Sequence, residues 1–77
     1  MDLFAQRRLA AHTQAAKAHE RTAEFHGAVS EFFRSHGDDA DATRAHQLAE
    51  DHRRTALRER IHAMQVGRPN DMVLSAR

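Results

Sequence analysis

The chain has 77 residues, 40% of them apolar and 30% charged, no cysteine, and a net charge of +1 with neutral histidines. Such a length permits one domain at most, with a small core, and the lack of cysteine excludes disulfides and thiolate metal sites. The near-balanced charge gives no general attraction to nucleic acid or an acidic membrane. No apolar run is long enough to cross a bilayer. Arg7 and Arg8 have no apolar stretch behind them, so no signal peptide is expected and the expected location is cytoplasmic.

Asp2 is placed to cap a first helix by accepting hydrogen bonds from its free N–H groups. From Leu3 to His36 there is no proline and alanine recurs, which predicts a first helix over about residues 3–36. Gly27 is its weak point, costing about 1 kcal/mol relative to alanine, and one continuous helix is expected across it. Gly37 accepts the left-handed conformation in which helices often end. Asp38, Asp39 and Asp41 then complement the positive end of a second helix. That helix is predicted over about residues 39–66, stopped by Gly67 and Pro69. The short turn makes the pair antiparallel. The predicted fold is all-α: a two-helix hairpin over residues 1–66 and a short tail over 67–77.

Large apolar side chains are few. In the first helix Phe4, Arg8, Ala11, Ala15, Ala18, Thr22, Phe25, Val29, Phe32 and His36 follow one another in steps of four and three, a heptad seam. Its middle is alanine. Its large side chains gather by the turn with Phe33, which is expected to be the best-packed end. In the second helix Ala42, Ala45, Leu48, Ala49, His52, Ala56 and Ala63 share a face, while Leu57, Ile61 and Met64 lie on another. A helix with two apolar faces usually has two neighbours. One is the first helix; the other is the tail segment Met72-Val73-Leu74, a second copy, or a different protein. The simplest closed solution is a homodimer forming a four-helix bundle. Its expected interface is Phe25, Val29, Phe32, Phe33, Leu48, Leu57, Ile61 and Met64, and the expected role is a non-enzymatic interaction or regulatory module.

Around the turn, Val29, Phe33, Gly37-Asp38, Ala42 and Ala49 sit at a spacing that resembles a tetratricopeptide-type hairpin over roughly residues 26–54. Ser30, His46 and Arg54 depart from that pattern, and no second copy is present. The resemblance implies shared hairpin packing, not membership of the family.

Seven histidines carry the chemistry that the sequence hints at. His12, His19 and His26 recur every seven residues, each just after a seam residue, and so are expected at the edge of a partner helix, where an amphipathic ring covers the core and keeps a wet tip. A second reading is a zinc, nickel or copper site. Folding at Gly37 brings His12 to the level of His62 and His26 near His52, with Glu20, Glu24 and Glu50 as candidate carboxylates. Its candidate ligands are His12, His19, His26, His52 and His62. A third reading is acid sensitivity, since protonation of all seven raises the charge from +1 to +8.

A weaker alternative is contact with a nucleic-acid backbone through Arg53, Arg54, Arg58 and Arg60 of a dimer. The plainer expectation there is a solvated face, with i,i+4 pairs such as Glu50–Arg54 available. No nucleophile elbow, phosphate loop or Ser/His/Asp arrangement is present, and no catalytic residue is assigned.

Overall fold

The computed structural model describes residues 2–67: helix α1, Leu3–Ser35, and helix α2, Asp39–Gly67. The two pack side by side along their length as an antiparallel hairpin, and both limits of α1 and the start of α2 fall within one residue of their expected places. Asp2 caps α1 with Oδ1 accepting from the Ala5 N–H at 2.7 Å. At the other end Gly37 takes φ +78°, a conformation strained for any side chain, and the chain reverses within three residues. Asp38 is the cap of α2, its Oδ1 accepting from the Asp41 N–H at 3.0 Å, which leaves Asp39 and Asp41 in the first turn. Helix α1 is continuous through Gly27. A Cβ there would come no closer than 3.7 Å, to the Arg53 guanidinium, so neither a kink nor a tight approach accounts for that glycine.

The faces in contact are made of small residues. In α1 the buried positions are Ala5, Ala16, Ala23 and Ser30; in α2 they are Ala42, Ala45, Ala49, Ala56 and Ala63. Rows of seven-residue spacing, 16-23-30 and 42-49-56-63, therefore meet along the hairpin, and small residues let two backbones lie close. Ser30 belongs in this row because its hydroxyl donates to the Ala42 carbonyl at 2.8 Å, so the buried oxygen is satisfied.

This corrects the expected register of α1. The Phe4–Phe32 seam does not face α2. Phe4, Phe25 and Phe32 are 70%, 64% and 57% exposed, and the turn end is not packed by them. The inward seam is rotated and runs through Ala5, His12, Ala16, His19, Ala23, His26, Ser30 and the half-buried Phe33. The physical reason lies across the interface: α2 offers a row of alanines, and a phenylalanine set against it would hold the helices apart, whereas alanine and serine let them close. On α2 the expected inner face holds, except that Leu48 turns outward. No large side chain among the described residues is fully buried. The segment Met72-Val73-Leu74 lies outside the described residues.

Candidate functional site

The histidines expected at the edge of a helix stand within the seam itself. His12, His19 and His26 alternate with Ala16 and Ala23 and point at α2. His52 lies between two of them: its ring is stacked 5.1 Å from that of His19 and 5.6 Å from that of His26. Its Nδ1 is 2.9 Å from the His19 Nδ1. A hydrogen bond between two such nitrogens requires opposite roles, one ring donating through Nδ1–H and the other accepting. One step toward the open end, the ring of His12 is 5.2 Å from that of His62, and its Nδ1 is 2.5 Å from Oε2 of Glu59. The hydrogen bond to His12 holds the Glu59 carboxyl below the ordinary glutamate range, against the opposing effect of burial. The donor atoms of His12, Glu59 and His62 all lie within 4.8 Å of one another.

All five histidines expected as ligands therefore lie along the seam, as two groups: His19, His26 and His52 in the middle, His12 and His62 with Glu59 toward the open end. His36 and His46 are exposed outside it. Of the carboxylates expected to join them, Glu24 is exposed and the other two are paired elsewhere. Glu20 makes a two-pronged bond to Arg60, with both N···O distances 2.7 Å, and Glu50 pairs with Arg53. Glu59 takes that place instead. Its signal was present in the sequence as Glu59-Arg60-Ile61-His62, a carboxylate and an imidazole three residues apart on one helix face.

The arginines proposed for phosphate contact are largely engaged. Arg53 is bonded to Glu50, Arg54 to Asp51 and Arg60 to Glu20, while Arg58 bonds the Thr55 hydroxyl. The local pairs are at i,i+3, not the expected Glu50–Arg54 spacing. An open depression of about 380 Å³ lies over Gln6, Leu9, Ala10, Thr13 and Gln14, a lining that carries no titratable group.

The large apolar side chains form two outer stripes, and their placement follows from helical spacing. Arg60 meets Glu20, and Arg53 meets the Gly27 position, so these four residues mark one face of the hairpin. Leu57 and Met64 are three residues before and four after Arg60, hence on that side of α2, with Ile61 beside them. Phe25, Val29 and Phe32 are two before, two after and five after Gly27, which turns them by about 140–160° to the opposite face at about 100° per residue. Leu48, five residues before Arg53, turns to that opposite face too. The residues expected to form one interface are thus divided: Phe25, Val29, Phe32 and Leu48 on one face, Leu57, Ile61 and Met64 on the other, and Phe33 in the inner seam.

No family model matches the chain, and comparison with curated proteins and with solved structures finds no match. No helix among the described residues is long and apolar enough to cross a membrane.

Proposed function

We propose that the chain is a non-enzymatic interaction module that works as a homodimer, two hairpins joining through the face of Phe25, Val29, Phe32 and Leu48 into a four-helix assembly. One observation carries the reading. The hairpin's own core is alanine and one serine, while eight large apolar side chains are exposed, from 43% at Ile61 to 70% at Phe4. An alanine removes little area from water, and a domain of this size has little stability to spare. The outward seam of α1 is heptad-patterned over its whole length, as a helix that expects a neighbour is. Its small middle, Ala11, Ala15 and Ala18, lets a second α1 cross closely, and its large ends then cover one another. A second copy presents the same seam and makes a closed two-fold contact. The opposite stripe, Leu57, Ile61 and Met64, stays outside that contact and is the place for a further partner.

Light scattering at pH 7.5 tests the proposal. A mass of two chains is expected, falling to one chain in a Phe25→Ser, Phe32→Ser double variant. A wild-type chain that is helical and monomeric at about 100 μM overturns it, since an obligate helical dimer should be associated at such concentrations.

A further inference from the structure

The strongest unassigned chemistry is at the open end of the seam. Glu59 and His62 stand one turn apart on α2 and reach the same point as His12 of α1, 47 positions away in sequence from Glu59. Two imidazoles and one carboxylate form a set that borderline divalent ions favour, and with three protein ligands a tetrahedral ion keeps its fourth position for water. We propose that His12, Glu59 and His62 bind one zinc-class divalent ion per chain, as a site held within a single hairpin.

The geometry needs only small adjustment. Bonds of about 2.0–2.1 Å place tetrahedral donors roughly 3.4 Å apart. The three donors already lie within 4.8 Å, with His12 and Glu59 in direct contact. The ion replaces the His12–Glu59 hydrogen bond, and those two groups part slightly. His62 closes in; its side chain is exposed at the rim, with its ring 5.2 Å from that of His12. The backbone stays in place because Ala16, Ala56 and Ala63 hold the helices together around the site. An ion here also ties α1 to α2 where the hairpin is open, far from the turn. The site draws on the inner seam alone and does not depend on the dimer proposed above.

The experiment is calorimetric titration of zinc into chelator-stripped full-length protein at pH 7.5, with the wild type, Glu59→Gln, His62→Ala and His46→Ala. The wild type is expected to bind one ion per chain. Glu59→Gln and His62→Ala should each weaken binding at least tenfold, and His46→Ala should leave it unchanged. A ring-nitrogen NMR spectrum of the wild type gives a readout that needs no variant: zinc should shift His12 and His62 and leave His36 and His46 in place. Absence of saturable binding overturns the proposal. So does binding that survives both Glu59→Gln and His62→Ala, which places the ion elsewhere, or zinc shifts confined to His19, His26 and His52, which assign it to the middle of the seam.

Discussion

At the scale of single residues, the seam is decided by side chains that meet across it. Glu20 and Arg60 illustrate how such a contact responds to pH. The bond to Arg60 holds the Glu20 carboxyl below the ordinary glutamate range, outweighing desolvation, and the Arg60 guanidinium is correspondingly harder to deprotonate. Because the folded value lies below the unfolded one, the pair's contribution is complete above roughly pH 4–5, where unfolded glutamate is ionised. It is lost as pH falls through the depressed folded value. Thermal melts of wild type and Glu20→Gln should therefore differ by a constant amount near neutrality, and the difference should shrink as pH falls below about 4.5. A difference that stays constant down to pH 3 would show that the pair adds nothing to stability. Both side chains are well exposed, so the effect should also diminish with added salt.

At the scale of the helices, the alanine rows set how close the two can lie. Ala49 has no exposed surface and Ala16 has none. Leucine at position 49 has nowhere to go without pushing the helices apart. Ala49→Leu is expected to lower stability by about 1–3 kcal/mol, even though it raises hydrophobicity and helix propensity changes little. Denaturant unfolding measures this directly; a variant as stable as the wild type would mean that the helices do not pack through these rows. The helix limits themselves were legible in the sequence, because caps and breakers are local. Asp2, Gly37 and Asp38 act on groups within a few residues of themselves; Asp2 and Gly37 stand where chain-local chemistry predicts, and Asp38, expected among the acids of the first turn, caps it from one position earlier.

For the molecule as a whole, the issue is where the large apolar residues go. A phenylalanine 57% exposed on a monomer tolerates truncation within about ±0.5 kcal/mol, whereas one buried in a dimer core loses about 3–5 kcal/mol. Phe32→Ala therefore separates the two states. The midpoint of wild-type melting should rise with protein concentration, and Phe32→Ala should lower it strongly at concentrations where the wild type is dimeric. A concentration-independent midpoint that Phe32→Ala leaves unmoved would place Phe32 in water and leave the dimer without support. The division of the outer side chains over two faces also predicts that Leu57 and Met64 are silent in this assay.

The sequence by itself determined the two helices, both limits of α1 and the start of α2, the reversal at Gly37, the antiparallel pairing and the excess of apolar surface over what one hairpin can cover. All of these depend on periodicity or on contacts a few residues apart. It also placed His12 near the level of His62 and His26 within about a turn of His52, since a fixed rise per residue and a known turn set the heights. What only the tertiary structure decided is rotation about each helix axis. Helix α1 carries two seams of the same period, one of phenylalanine and alanine, the other of alanine, serine and histidine. Periodicity cannot rank them, and hydrophobicity ranks them the wrong way for the hairpin. The choice is made by the opposing surface: the alanines of α2 admit small side chains, and the Ser30 hydroxyl finds the Ala42 carbonyl only at that closeness. The same rotation carries the histidines from the edge into the seam and brings His12 against Glu59. That contact exists only because two helices, chosen by shape, lie face to face.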